Sequence, residues 1–128
     1  MKLLFFLSGI FLLTVSAANC NKKDKESKIF SEVFKGRLEI KAICMNYTVS
    51  VLDKADTLNV VPNWTDETTK KTYKNVFALA NPCNFPDSIK QGDEFYFVID
   101  TLSTKPCMVC MAYYPTPGKK LPIKIVNK

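Results

Sequence analysis

From Phe34 onward, apolar and polar residues alternate with a period of two. Leu38, Ile40, Ala42 and Cys44 fall on one face, with Arg37, Glu39 and Lys41 opposite. Successive side chains of a strand point to opposite faces, so this spacing predicts a half-buried strand. Gly36 near its start allows a bend or bulge. Tyr47, Val49 and Val51 continue the alternation offset by one residue, so the buried face switches near Met45 and Asn46. Residues 53–56 read as a turn, 58–61 as a short strand, 62–69 as a polar, turn-rich loop around Trp64, and 72–80 as a strand rich in β-formers.

After a loop at 81–86, residues 87–91 have the composition of one helical turn before Gly92. Residues 94–100 form a strong strand, with Phe95, Phe97 and Ile99 on one face and Tyr96 and Val98 on the other. Being apolar on both sides, it belongs inside the sheet. Residues 107–114 read as another strand between Pro106 and Pro115. Its alternation puts Val109, Met111 and Tyr113 on one face and Met108, Cys110, Ala112 and Tyr114 on the other. One of the two tyrosines must then face outward. A proline-rich loop at 115–118 precedes a last strand marked by Leu121, Ile123 and Ile125. No amphipathic helical pattern follows residue 30. Several short strands with frequent turns predict an all-β fold, a small single-domain β-barrel of OB-like form or a sandwich.

The N-terminus follows a different rule. Met1 and Lys2 precede an apolar run of thirteen residues, Leu3 to Val15, then Ser16, Ala17, Ala18, Asn19 and Cys20. This is signal-peptide architecture, and the run is shorter than the roughly 20 apolar residues that span a bilayer. Two ends of the signal are compatible with the residues. Cleavage before Cys20 would leave a lipid-modified cysteine, although Ala17 and Asn19 depart from the lipobox pattern. Cleavage after Ala18 is the rival. The charged stretch from Asn21 to Lys28 suits a tether behind an acylated cysteine. Cysteine parity agrees, because removing Cys20 from five leaves four that can pair. The expected layout is a signal at 1–19, lipidated Cys20 and tether at 20–30, and a β domain at 31–128.

Composition narrows the chemistry. The chain holds 47% hydrophobic and 23% charged residues, as a globular domain does, and a formal charge of +6. The lysines look scattered, which reads as a solvated surface, so nucleic acid is not an expected partner. Histidine is absent, which removes Ser-His-Asp and Cys-His catalysis and every His-containing metal site. Asp93 and Glu94 are strand neighbours pointing to opposite faces, so they make no acid/base dyad. Cys44, Cys83, Cys107 and Cys110 are read as disulfides, given export to an oxidising compartment. Only one Cys-x-x-Cys is present, where a zinc ribbon has two. Residues three apart on a strand diverge, so Cys107 should not join Cys110. Two pairings remain: Cys44–Cys110 with Cys83–Cys107, or Cys44–Cys107 with Cys83–Cys110. The first is preferred because Cys44 and Cys110 both sit within strand patterns.

The Cys20-Asn-Lys-Lys-Asp-Lys layout resembles that of small uncharacterised lipoproteins of Bacteroidetes-type bacteria. Asn81-Pro82-Cys83-Asn84-Phe85-Pro86 and Gly92-Asp93-Glu94-Phe95-Tyr96-Phe97 are similar to loop and strand segments of their OB-like domains. The resemblance covers the signal and part of the domain and brings no catalytic residues. It implies an envelope lipoprotein facing the periplasm or the cell surface. It also implies O-glycosylation at Asp followed by Ser or Thr and an apolar residue. That motif marks Thr57, Ser88 and Thr101, where turn chemistry is the plainer reading.

The expectation is therefore a non-enzymatic binding or structural accessory module without metal or cofactor. Its partners would be the membrane, through the lipid anchor, and an envelope protein or glycan. Tyr113, Tyr114 and Trp64 are the candidate binding residues, with a loop position as support for the tyrosines. Alternatives are a thiol-redox protein using Cys107 and Cys110, or an OB-like binder of an anionic ligand or oligosaccharide.

Overall fold

Antiparallel strand pairs organise the chain from Phe34 to Val126 in the computed structural model, which describes residues 31–102 and 107–128. The expected signal, Cys20 and the tether lie outside the described residues. Seven strands form one sheet: β1 (Phe34–Lys41), β2 (Tyr47–Val51), β3 (Val61–Thr65), β4 (Thr72–Leu79), β5 (Glu94–Ile99), β6 (Lys120–Leu121) and β7 (Ile123–Val126). Their order is β3-β4-β2-β1-β5-β7, an open path of antiparallel pairs. β6 pairs β4 in parallel. The fold is all-β, and its helical content among the described residues is three short 3-10 turns.

One face of the sheet builds the core. Phe34, Leu38, Val49, Phe77, Phe95, Phe97 and Ile123 are buried together, with Tyr47 and Phe85 closing one side. The rings of Tyr47, Phe77, Phe85, Phe95 and Phe97 meet edge-on or tilted at 5.4–6.0 Å between centroids, and Phe34 stacks on Phe97 at 5.6 Å, spacings that suit their quadrupoles. β5 lies between β1 and β7, in the interior position its two-sided hydrophobicity predicts. Gly36 belongs to this packing. A Cβ there would stand 2.9 Å from the ring of fully buried Phe97 and 3.2 Å from the Ser50 carbonyl.

The simple alternation of β1 fails at Glu39. Leu38 pairs with Val49 but Ile40 pairs with Thr48, so β1 bulges by one residue between them. Ile40 thereby leaves the core face and joins Thr48 on the other. The face switch expected near Met45 and Asn46 occurs earlier, and residues 42–46 form the hairpin turn itself. That turn holds Cys44 and Met45 in the left-handed region, at φ of 56° and 57°. Such a conformation costs a non-glycine residue about 1–2 kcal/mol. The Asn46 side chain helps to fix it by donating to the Ile43 carbonyl at 2.8 Å.

Other expectations shift as well. The strand expected at 58–61 is displaced to β3, within what read as a polar loop. β3 is an edge strand, where Pro62 is tolerated, and its Trp64 stacks on Tyr73 of β4 at 6.1 Å. Residues 87–92 form successive turns, with Ile89 N–H donating to the Pro86 carbonyl and Asp93 N–H to that of Lys90, and no helix. Most consequential, residues 107–114 form no strand. Disulfides and side-chain ties take the place of a ladder.

Both faces of β2 are buried. On the second face lie Ile40, Thr48, Ser50, Val76 and Ala78, all buried. Ser50 donates to Glu39 at 2.7 Å. The Thr48 hydroxyl is buried with no hydrogen-bond partner, and an unmet buried hydroxyl costs about 1–3 kcal/mol.

These two sites predict opposite responses. Gly36→Ala forces a methyl against Phe97 and should lower stability by about 1–3 kcal/mol. Thr48→Val keeps the shape and removes the unmet hydroxyl, so stability should hold or rise by about 1 kcal/mol. Urea unfolding of both variants beside the parent checks the pair; a destabilised Thr48→Val would show that the hydroxyl is satisfied after all.

Candidate functional site

Residues 107–119 run as an irregular strap tied to the sheet at successive points. Cys107 is bridged to Cys83 after β4, with Cα atoms 5.6 Å apart, and Cys110 to Cys44 in the β1–β2 turn, with Cα atoms 5.0 Å apart. Asn46 donates its side-chain amide to the Ala112 carbonyl at 3.0 Å. The Tyr114 hydroxyl donates to Asp66 at 2.8 Å. Pro117 is fully buried, and the Lys119 carbonyl accepts from the Ala78 N–H at 2.8 Å. The strap thus spans from the β1–β2 turn to the β3–β4 hairpin and back to β4.

The pairing is the one preferred from the sequence. Its stated reason does not hold, since neither Cys44 nor Cys110 lies in a strand. Cys107 and Cys110 stay apart because each is drawn to a different loop. The possible redox couple therefore has its two sulfurs in different bridges. The bridges close loops with sequence separations of 24 and 66 residues, each worth about 2–4 kcal/mol. Two such bridges mark a protein that folds in an oxidising compartment.

The strap has two ends of different character. At the Tyr114 end, the Asp66 carboxylate is completely buried. Thr68 N–H donates to it at 2.9 Å, Thr69 hydroxyl at 2.9 Å and Tyr114 hydroxyl at 2.8 Å. Burial alone would raise its pKa, but these donors outweigh burial and hold the carboxyl below its ordinary range. The hydrogen bond to Asp66 raises the Tyr114 pKa in turn. Trp64 and Tyr73 stack half-buried on the same hairpin, with Lys71 Nζ 4.8 Å from the Tyr73 ring. Tyr114 and Trp64 serve packing and anchoring here.

The disulfide end is the opposite. Met108 is 94% exposed, Met111 98% and Tyr113 82%, with Val109 also exposed. Ile43 and Met45 of the facing turn are exposed beside the Cys44–Cys110 bridge. Six of the nine large exposed hydrophobics among the described residues gather in these two segments. A depression of about 190 Å³ between them and β4 is lined by Met45, Pro82, Val109, Lys120 and the Cys107 bridge. It is too small for a drug-sized ligand, which needs roughly 300 Å³ or more. A hollow of about 520 Å³ lies elsewhere, beside Asp53, Asp56 and Leu58, and opens widely to solvent.

The tyrosine expectation divides accordingly. Tyr113 points outward and Tyr114 inward, as strand alternation required, although the backbone there is irregular. Neither alternation nor composition marked Met108 and Ile43 as surface residues. The signal available was the cluster of apolar side chains flanking two cysteines on a segment too short for both. Thr57, Ser88 and Thr101 are exposed in turns or short 3-10 segments. The Thr57 hydroxyl donates to the Lys54 carbonyl at 2.8 Å, as a turn residue does. Among the described residues no helix is long and apolar enough to cross a membrane, and no group of acidic or cysteine side chains could hold a metal ion. No family model, curated protein or solved structure matches the chain.

The Asp66 cluster gives a pH prediction. Its folded pKa is depressed, so its contribution is complete above the ordinary carboxylate range near about pH 4 and drains away as pH falls through that range toward the folded value. Asp66→Asn should cost about 1.5–3 kcal/mol at neutral pH and progressively less in acid. Tyr114→Phe should then add little on top of it, because the two share one bond. Urea midpoints across the acid range check this; an equal loss for Asp66→Asn at neutral and strongly acid pH would contradict it.

Proposed function

We propose that the protein is an exported, non-enzymatic binding module of a bacterial envelope, lipid-anchored through Cys20, and that it recognises its partner with the disulfide-held tip of the strap. One observation supports this above the others: large apolar side chains stand almost wholly in water on a segment that two covalent bridges immobilise. Exposed apolar clusters of this kind mark interaction sites, and a pre-ordered surface loses little conformational freedom on binding. The anchor reading rests on the apolar run, the charged tether and the even number of cysteines left after Cys20. Residues 120–126 pair with β4 before Pro122 and with β5 after it. That continuity supports an OB-like barrel in which β6 and β7 act as one broken closing strand.

Oxidative footprinting read by mass spectrometry tests the proposal. In purified protein, Met108 and Met111 should oxidise rapidly. In intact envelopes they should be protected several-fold, while exposed residues remote from the tip oxidise alike in both. The same spectra should find an acylglyceryl group on Cys20. Equal oxidation of the two methionines in both states would sink the recognition surface, and a chain beginning at Asn19 would sink the anchor.

A further inference from the structure

The charge of the chain is distributed more unevenly than its total indicates. Residues 21–100 hold twelve basic and twelve acidic side chains, which cancel. Residues 101–128 hold Lys105, Lys119, Lys120, Lys124 and Lys128, and no Asp or Glu. The entire excess of positive charge beyond the expected signal therefore lies in residues 101–128, and four of these five lysines stand in the strap or after it. Lys119 and Lys120 are exposed where the strap rejoins β4, and Lys120 lines the same depression as Met45 and Val109. Cations thus border the apolar tip, and the strap itself contains no carboxylate to repel an anionic surface.

The shape of the tip is equally informative. Side chains exposed to 94% and 98%, as Met108 and Met111 are, project from the surface and do not line a groove. A projecting, conformationally adaptable apolar tip suits a soft phase that closes around it. Methionine is the most adaptable of the apolar side chains. Tyr113 adds an aromatic ring with a polar end, the amphipathic chemistry found at membrane–water boundaries. Apolar side chains that enter the acyl boundary, with lysines at headgroup level, constitute the interfacial mode of binding to anionic lipid.

We infer that the tip formed by residues 43–45 and 108–113 docks onto an anionic phospholipid bilayer, with Met108, Met111 and Tyr113 inserted and Lys119 and Lys120 at the headgroups. This rests on the recognition surface proposed above and names its partner. The bridges Cys44–Cys110 and Cys83–Cys107 make the insertion possible by preventing the tip from folding back onto the protein.

Vesicle co-sedimentation tests it, using the full chain with Cys20→Ser so that no acyl anchor contributes. Phosphatidylglycerol–phosphatidylcholine vesicles are compared with phosphatidylcholine alone. The chain should prefer the anionic vesicles, and added salt should weaken the binding. Met108→Ser with Met111→Ser should lower affinity at least about ten-fold. Lys119→Gln with Lys120→Gln should lower it by about five-fold or more and reduce the salt dependence. All four positions are exposed, and an unchanged melting temperature confirms that the variants fold. Every variant shares the N-terminal apolar run, so differences among them report the tip alone. Equal binding of parent and methionine variant, or equal binding to neutral and anionic vesicles, would overturn the inference. Methionines protected in envelopes by a protein that binds no vesicle would remove the lipid and leave the recognition surface standing. Methionines free in envelopes and indifferent to vesicles would remove both.

Discussion

Two covalent bridges stand in for the backbone ladder that residues 107–113 lack. A strand is held by hydrogen bonds along its whole length. This segment is pinned by Cys44–Cys110 and Cys83–Cys107, with the Asn46 amide on the Ala112 carbonyl as a third tie. The first bridge also grips the hairpin turn in which Cys44 and Met45 adopt left-handed backbone. Strain of that kind persists where surrounding structure over-determines it. The bridges thus fix the strap, the strained turn and the relative position of two loops that would otherwise move independently. Met108 and Met111 are exposed on the segment that these bridges hold.

The sheet is buried on both sides at β2, and the strap is fastened close by. A single sheet exposes one face unless something covers it. Here the core covers one face of β2, while Ile40, Thr48, Ser50, Val76 and Ala78 are buried on the other. The Tyr114–Asp66 bond fastens one end of the strap to the β3–β4 hairpin, and the Lys119–Ala78 bond fastens the return. The buried carboxylate sits where the hairpin meets the strap and is held by neutral donors. Elsewhere the charged groups Lys35, Arg37, Glu39 and Glu94 form ion pairs near the surface, where such pairs contribute little.

Much of the sheet was legible because period-two alternation depends on local physics. β1, β2, β5 and the 121–125 strand follow from it, and β4 from its richness in β-formers. The bulge at Glu39 was not legible, because one extra residue is invisible until the register with β2 is known. β3 was obscured by Pro62 and by polar residues that an edge strand accepts. The segment 107–114 misled for another reason: Val, Met and Tyr in alternation have strand propensity, but covalent ties to Cys44 and Cys83 decide its path. Cysteine parity anticipated two bridges, and the preferred pairing was met for a reason other than the one that favoured it. Of the aromatic candidates, only Tyr113 stands in solvent. Trp64 and Tyr114 have structural partners that the sequence could not reveal, since Tyr73 and Asp66 reach them only through the hairpin.

Asn81 joins two distant parts of the chain as a backbone would. Its amide donates to the Ile123 carbonyl at 2.8 Å and accepts from the Ile123 N–H at 2.9 Å, all within a buried site. Such a joint would fail if the amide aged to a carboxylate, which would set an acceptor against a carbonyl and bring a charge into the interior. Asparagine deamidates when the next residue's backbone nitrogen attacks the side chain and closes a succinimide ring. The next residue here is Pro82, whose nitrogen has no hydrogen to lose. The joint is therefore placed at one of the few asparagine positions that resist spontaneous chemical decay, so its two-way bond to Ile123 does not age as an exposed asparagine would.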